Sequence, residues 1–484
     1  MAAGGQLELT VVDQATGEPV ACRVHIWNAA GRPRKVPRLP FWHDHFVCPG
    51  TVTLKLARGQ YEFVIERGPE YVQRRGHFTI QDFSDDAKTV DLRRAVDMAA
   101  EGWWSGDLLV ARDVDDLELL MRAEDLHVVQ LVAAPRRSKA SRTDRADHAP
   151  VIELPDRRYA QRYGKWIDSP LGKLVCARWQ DDAVTSATTE ATTILDLLNV
   201  DRRPADGWID LAYPAGDDLP LWLATGRIDA IQVAHSGLGR KKTAAITQPT
   251  LPHLGGRDAY SAGRTGEELY YHLLNCGLRL PPTAGSGSGL TNNPLGYNRL
   301  YVFAGEDFSA DAWWDGLRAG RTVVSNGPLL RPLVAGCRPG HVFVAPAGEE
   351  LVLDVSLNLA TGDPIEYLEI IKNGEVAHAV RLDDWASSGA LPAVTFRESG
   401  WLLIRAVTTL EDTYRFGMTA PYYVEVGDAP QRISHHSASL FRDWAAARLQ
   451  EVREQSGESA ADYIAAHEEA LAYWQGLVDA SNAP

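Results

Sequence analysis

Residues 102–129 read GWWSGDLLVARDVDDLELLMRAEDLHVV, and this stretch decides the fold. Within it, Val114 to Glu124 carries apolar residues at helical spacing, with Leu117 and Leu120 on one stripe. The apolar run from Val128 to Ala134 that follows is typical of a buried strand. A helix that leads directly into a buried strand is typical of an α/β domain.

The same alternation continues farther along the chain. Leu219 to Thr225 predicts a helix, and Ile228 to Ala234 predicts the strand after it. Glu267 to Cys276 and Ala310 to Ala319 predict two more helices, each followed by a glycine suited to a helix end. Residues 135–190 are polar with weak periodicity, so they predict no clear element. We therefore expect a barrel-like central domain over residues 98–330.

Strand-type alternation flanks this centre on both sides. Residues 6–97 alternate in the strand period and predict a β-sandwich for residues 1–97. Residues 331–427 return to that period, and Asn373-Gly374 is a strong hairpin signal, which predicts a second sandwich over 331–430. The remainder, 431–484, predicts a helical tail that packs back on the body.

The first sandwich resembles a known module. Residues 11–26 (VVDQATGEPVACRVHI) and 56–71 (LARGQYEFVIERGPEY) resemble the carboxypeptidase regulatory-like, prealbumin-type domain. The resemblance implies a spacer or a sugar-facing module and implies no chemistry.

The stretch at 102–129 resembles the opening of the CehA/McbA-like, or carbaryl-hydrolase-like, branch of the polymerase-and-histidinol-phosphatase (PHP) superfamily. The resemblance continues through YYHLLNCGLRLPPTAGSGSG (270–289), NPLGYNRLYV (293–302) and WWDGLRAGRTVVSNGPLL (313–330). It implies a distorted (β/α)₇ barrel with divalent metals at the carboxyl ends of its strands. The implied chemistry is metal-assisted hydrolysis of ester, carbamate or phosphoester bonds.

The metal motif of this branch is altered here. Its two histidine positions read Leu108 and Val110, and neither aliphatic side chain can donate a lone pair to a metal. Asp107 remains, but the later Gly-Ser block at 286–289 has neither an acid nor a histidine. We therefore expect no metal cofactor, with one divalent Zn or Mn ion as the alternative.

Several polar residues stand where strands of the implied barrel end, and such ends usually carry function. Asp107, His127 and His235 are the candidate catalytic residues. The candidate substrate-binding residues supply charge or hydrogen bonds, and they are Arg112, Arg240, Tyr297, Arg299 and Asn326. His127 as a hydrogen-bonded structural histidine, and Asn326 as a turn residue, are the alternatives.

One His-x-His motif is intact, but it lies in the first sandwich. Strand spacing would place the rings of His43 and His45 on one face, with Asp44 between them. A metal site there needs two more ligands, which the sequence does not identify.

The composition of the chain limits the kinds of partner and compartment that can be predicted. The net charge of −15 disfavours nucleic-acid binding, which needs clustered Lys and Arg. Five scattered cysteines predict no disulfide scaffold, and whether Cys22 and Cys48 pair stays open. No signal peptide and no membrane-spanning run is predicted, and the compartment and oligomeric state stay open.

The sequence is consistent with three candidate functions. The first is a relative of the hydrolase branch that has lost its metal and binds a small polar or carbohydrate-like ligand in the old barrel cavity. The second is an active hydrolase with a rebuilt site. The third is a structural or partner-binding protein.

Overall fold

The computed structural model describes residues 4–133, 149–179, 194–195, 197–198, 203–242, 259–428, 431–455 and 461–484. The helices are α1 (Val114–Ala123), α2 (Leu219–Ala224), α3 (Ala259–Asn275), α4 (Ala310–Arg318), α5 (Leu382–Ser388), α6 (His435–Gln455) and α7 (Ala461–Asp479). The strands are β1 (Gly4–Asp13), β2 (Cys22–Asn28), β3 (Phe41–Trp42), β4 (His45–Cys48), β5 (Thr51–Ala57), β6 (Gly59–Glu66), β7 (Arg74–Ile80), β8 (Asp85–Leu92), β9 (Trp103–Val110), β10 (Val128–Val132), β11 (Val151–Leu154), β12 (Arg158–Ser169), β13 (Gly172–Ala177), β14 (Trp208–Leu211), β15 (Ala230–Ala234), β16 (Pro282–Ala284), β17 (Arg299–Phe303), β18 (Thr322–Ser325), β19 (Leu329–Val334), β20 (Val342–Ala345), β21 (Leu351–Leu353), β22 (Val355–Ala360), β23 (Ile365–Lys372), β24 (Glu375–Arg381), β25 (Val394–Phe396), β26 (Gly400–Thr408), β27 (Phe416–Thr419) and β28 (Tyr422–Val426).

The N-terminal region is a sandwich of two sheets, with strand orders β5-β1-β8 and β3-β4-β2-β6-β7. Its core is the apolar face of each sheet, where Val11, Val24 and Ile65 are fully buried. The other face of the five-stranded sheet packs on the central region, because Ala21 and Val47 share an apolar cluster with residues of α1.

The central region is mixed α/β. Its strands follow the order β16-β15-β14-β13-β12-β10-β9, and β10 runs parallel to both of its neighbours. After β16 the chain returns to β9, where the Gly287 N–H donates to the Leu109 carbonyl at 2.9 Å. The Ala111 N–H likewise donates to the Ser288 carbonyl at 2.8 Å. Together these contacts bring the first and last of the seven strands side by side.

Strands β11, β12 and β13 lie in the stretch for which the sequence predicted no clear element. Their buried side chains include Arg158 and Gln161, which break the apolar period. Arg158 is accommodated because its guanidinium pairs with Asp125 at 3.2 Å. In β12 the period fails because several buried positions are polar and paired, whereas β13 is a short buried apolar run that periodicity alone cannot assign.

The C-terminal sandwich shares a sheet with the centre. From β9 the sheet continues through β17 and β18 to β27, β26, β23 and β24. The joining pair aligns Val324 with Met418 in antiparallel register. The predicted boundary at residue 330 lies within β19, which pairs with β22, and the large sheet contains strands from both sides of that boundary.

The tail consists of α6 and α7, which anchor to the start of α2. Arg448 donates to Asp218 at 2.9 Å, and the Trp474 indole donates to the Pro220 carbonyl at 2.9 Å. Within the described ranges, no helix is long and apolar enough to cross a lipid bilayer.

Candidate functional site

Asp107 lies near the end of β9, and its carboxylate is enclosed by protein donors. Oδ1 accepts the backbone N–H of Leu109 at 3.1 Å and that of Ser286 at 2.9 Å. Oδ2 accepts the N–H of Gly296 at 2.8 Å and the Ser286 hydroxyl at 2.5 Å. Burial raises the pKa of Asp107 to about 6, although these four hydrogen bonds favour the charged form. The acceptor positions that a metal would use are therefore taken.

The two positions that the family resemblance assigns to histidines lie one and three residues after Asp107. Leu108 and Val110 are both fully buried, and each belongs to a separate apolar cluster. This corner of the fold is packed hydrocarbon.

His127 is held by neighbours of its own. Its Nδ1 lies 3.0 Å from the Ser105 hydroxyl, and its ring meets the Trp104 indole edge-on at 4.9 Å. Burial lowers the pKa of His127 to about 4, so the imidazole is neutral at neutral pH.

His235 is likewise neutral and has hydrogen-bond and ring contacts of its own. Its Nδ1 accepts the Gly237 N–H at 3.1 Å, and its ring packs edge-on against Tyr213 at 4.7 Å. Burial lowers the pKa of His235 to about 3. In the part of the chain that is described, the three candidate catalytic residues form no metal-ligating cluster.

A second buried acid lies deeper in the central region. Asp210 accepts the Thr283 hydroxyl at 2.8 Å and the Gln232 amide at 3.1 Å. Burial raises the pKa of Asp210 to about 7, since its partners are neutral dipoles.

A cleft of about 180 Å³ opens where the N-terminal, central and C-terminal regions meet. Four of the five predicted binding residues line it, namely Arg240, Tyr297, Arg299 and Asn326. Arg112 lies elsewhere, with its guanidinium over the Trp42 ring at 4.6 Å. The sequence analysis selected these residues because they stand near strand ends, and the fold brings four of them together where the three regions meet.

Glu66 ties the N-terminal wall of the cleft to the central wall. It accepts from the Arg23 Nε at 3.0 Å and from the Arg240 Nη2 at 3.0 Å. Burial alone would raise the pKa of Glu66, but Arg23, His25 and Arg240 hold it well below its usual range. Arg23 also pairs with Glu124, which extends the network toward α1.

Arg299 forms the floor of the cleft and is almost fully buried. It donates to the Gly296 carbonyl at 2.6 Å and to the Glu124 carbonyl at 3.1 Å. Gly68 approaches the same carbonyl with a φ of 58°, and a Cβ there would lie 2.3 Å from the Glu124 oxygen. Glycine at this position is what lets the N-terminal loop close over Arg299.

Asn326 has a structural role at the rim of the cleft. Its amide donates to the Tyr414 carbonyl at 3.1 Å and accepts the Phe416 N–H at 2.8 Å. Tyr297 is half-buried nearby, and the guanidinium of Arg415 lies 5.7 Å from its ring centre.

The cleft has a surplus of positive charge. Its arginines outnumber its acids by five to three, as Arg23, Arg75, Arg240, Arg299 and Arg415 against Glu66, Glu124 and Asp363. Arg415 donates to Asp363 at 2.8 Å, while its Nε has no hydrogen-bond partner among the described residues. Arg75 is exposed, and its guanidinium contacts only the Gln73 side-chain oxygen within the described structure.

Sequence reasoning missed Arg23, Glu66, Asp363 and Arg415. Arg23 and Glu66 did leave a signal, because both are charged residues on the strand faces that point away from the sandwich core. Asp363 and Arg415 left none, since their role depends on how the C-terminal loops meet the centre.

The cysteines and the His-x-His motif also have definite places. All five cysteines are free thiols, and Cys22 lies directly opposite Cys48 on neighbouring strands.

His43 is exposed in the turn between β3 and β4, so it does not share a face with the buried His45. The turn is the reason, because strand spacing does not apply across it.

Comparisons with known proteins identify no family. No protein-family model matches the chain, and no curated protein matches it. Among solved structures, the Bacillus anthracis TIE protein is similar at 23% identity over 24% of this chain, with a TM-score of 0.16. The match spans 20% of that protein's length. The four N-terminal Ig domains of Dscam1 isoform 4.44 match at 8% identity over 88% of this chain and 98% of that chain, with a TM-score of 0.14.

Proposed function

We propose that this protein binds a small acidic, hydroxyl-rich ligand, of the acidic-sugar class, in the cleft between its three regions. We further propose that it is a relative of the CehA/McbA-like branch of PHP hydrolases that no longer uses that branch's metal chemistry. The observation that carries the proposal is the gathering of Arg240, Tyr297 and Arg299 around one charged cleft.

Support for the ancestry comes from the central region. The chain after β16 returns to β9, as the closing step of a seven-stranded barrel requires. Support for the lost chemistry comes from Asp107, whose four hydrogen bonds leave no lone pair directed at open space.

The lining indicates the ligand. An arginine surplus favours a carboxylate or a similar anion, which guanidinium groups bind through paired hydrogen bonds. Pro69 and Val72 give one wall an apolar surface against which a sugar ring can pack. The volume of about 180 Å³ lies below the range of about 300–1,000 Å³ typical for drug-sized ligands, which favours a single ring over an oligosaccharide.

Calorimetry with two matched sugars tests the proposal. Glucuronate and glucose differ at one carbon, so we expect measurable binding of glucuronate and at least about tenfold weaker binding of glucose. Equal binding of the two sugars, or binding of neither, would contradict the proposal.

Two arginine variants locate the site. Arg415→Gln should weaken glucuronate binding by about tenfold or more, because it removes a charged donor from the cleft. Arg75→Gln should weaken it less, since Arg75 is exposed to water. Arg74→Gln is the matched control, because Arg74 is the next residue on β7 and pairs with Asp91 outside the cleft. An equal loss in the Arg74 variant would place the binding elsewhere.

A further inference from the structure

A second cluster of polar side chains lies behind the cleft, where the N-terminal sheet meets the central region. Strands β2 and β4 pair with Val24 opposite Phe46, and one more step in that register sets His25 opposite His45. The two imidazole centres are 5.1 Å apart. Asp44, in the turn before β4, reaches both rings.

The distances within this cluster suit a metal ion. One ligand atom from each of the three residues lies within 4.8 Å of the other two. Asp44 Oδ1 lies 3.3 Å from His25 Nδ1 and 3.2 Å from His45 Nδ1. Ligands about 2.1 Å from a tetrahedral metal stand about 3.4 Å apart, so little movement would be needed.

The surroundings of His25 are a second, independent observation that points to a bound ligand. Its side chain is fully buried, and neither ring nitrogen makes a hydrogen bond within the described residues. Buried polar groups in proteins are nearly always hydrogen-bonded, so an imidazole whose two nitrogens make no aligned hydrogen bond calls for an explanation. Asp44 and Glu66 lie 3.3 Å and 3.4 Å from those nitrogens, but without hydrogen-bond alignment.

We propose that His25, Asp44 and His45 form a site for one divalent transition-metal ion, of which Zn²⁺ is the representative. His25 would bind through Nδ1, so that its Nε2 faces the Glu66 carboxylate. A carboxylate behind a metal-bound histidine is the usual support that fixes the ring. Two imidazoles and one carboxylate leave a further position for water.

Positively charged side chains near the three ligands weaken the binding of a metal ion. Lys241 donates to Asp44 Oδ2 at 2.8 Å, which leaves Oδ1 toward the two histidines. Arg23 and Arg240 also lie close, and their positive charges oppose a bound cation. The Lys241 side chain is 63% exposed, so it can move into water when a metal takes the carboxylate.

Zinc binding to the full chain tests the site. After loading with ZnCl₂ and dialysis, the wild-type protein should retain one zinc per chain by elemental analysis. Asp44→Asn and His45→Ala should each weaken Zn²⁺ binding by at least tenfold in a competition titration with a chromophoric chelator. His43→Ala is the matched control, since His43 is the exposed neighbour and should leave binding unchanged.

Two further readouts separate this site from misfolding and from surface binding. Co²⁺ should give visible absorption bands in the wild type and in His43→Ala, and these bands should vanish in Asp44→Asn, which preserves size. Lys241→Gln should tighten Zn²⁺ binding severalfold, because it removes a competing cation. No retained zinc in the wild type, or full retention in Asp44→Asn, would overturn the proposal. The glucuronate test and the zinc test can fail separately, because none of the three proposed metal ligands lines the sugar cleft, although Glu66 contacts both sites.

Discussion

Asp107 and Ser286 lie 179 residues apart in the chain and are joined twice. The Ser286 N–H donates to Oδ1 at 2.9 Å, and the Ser286 hydroxyl donates to Oδ2 at 2.5 Å. The carboxylate thereby fastens the loop after β16 against β9. A residue that the family resemblance places at a metal corner here holds two strands together.

This relationship predicts the effect of removing the acid. Asp107→Ala leaves three buried backbone N–H groups and one hydroxyl without acceptors, so it should lower the free energy of unfolding by about 3 kcal/mol. Urea denaturation measures the change. Asp115→Ala, on the exposed side of α1, should change it by less than about 0.5 kcal/mol. A stable Asp107 variant would mean that these bonds contribute little.

The altered motif predicts the outcome of restoring its histidines. Leu108→His with Val110→His places two imidazoles in packed apolar clusters, so it should destabilise the fold by several kcal/mol, about 3 or more, and bind no zinc at Asp107. The experiment belongs in an Asp44→Asn background, which removes the proposed zinc site. One zinc gained per chain in that background would show that loss of the two histidines alone explains the missing metal chemistry.

Asp210 predicts a pH dependence of stability. Its pKa is raised to about 7 in the folded chain, so the folded state binds this proton more tightly than the unfolded state. The stability it contributes is complete below about pH 4 and is lost as the pH rises toward 7. Asp210→Asn removes that loss, so its stability relative to the wild type should increase between pH 4 and 8, by up to about 4 kcal/mol. Denaturation of both proteins at each pH measures it, and a constant difference would contradict the assignment.

Arg405 predicts a strong effect at the junction of α3 with the C-terminal sheet. It is buried and pairs with Glu267 at 2.5 Å and with Glu369 at 2.7 Å. Arg405→Ala leaves two carboxylates without their cation and should cost about 3–5 kcal/mol in thermal or urea unfolding. Arg397→Ala removes an exposed pair with Glu350, and we expect less than about 1 kcal/mol. Similar losses in the two variants would show that burial is not what makes the first pair important.

The sequence predicted elements best where one face is apolar. Within residues 331–427, where the sequence predicted strands, β23 spans Ile365–Lys372, and Asn373-Gly374 forms the turn after it, with Asn373 at a φ of 51°. The predicted helix at Glu267 is longer in the structure, which begins α3 at Ala259. Residues 259–266 (AYSAGRTG) are mostly small or polar and include two glycines, so they show no hydrophobic period that would mark these turns as helical.

Only some residues of the candidate site could be predicted from the sequence. Arg240, Tyr297 and Arg299 could be selected because they stand beside strand ends. Their partners Glu66 and Arg415 come from the two flanking regions, and no local pattern records that these regions meet. The pairing of His25 with His45 was hidden for a similar reason, since it follows from the register of two strands joined by an intervening hairpin.

The central region and the C-terminal sandwich cannot be separated without breaking the hydrogen bonds of the sheet that they share. Strand β18 gives one edge to β17 and the other to β27, so a chain cut after residue 330 would leave an open row of backbone donors and acceptors. Such a fragment would be prone to self-association through that edge. If the C-terminal region were replaced in evolution, the replacement would also have to supply a strand that pairs with β18. We therefore expect the central and C-terminal regions to be inherited together.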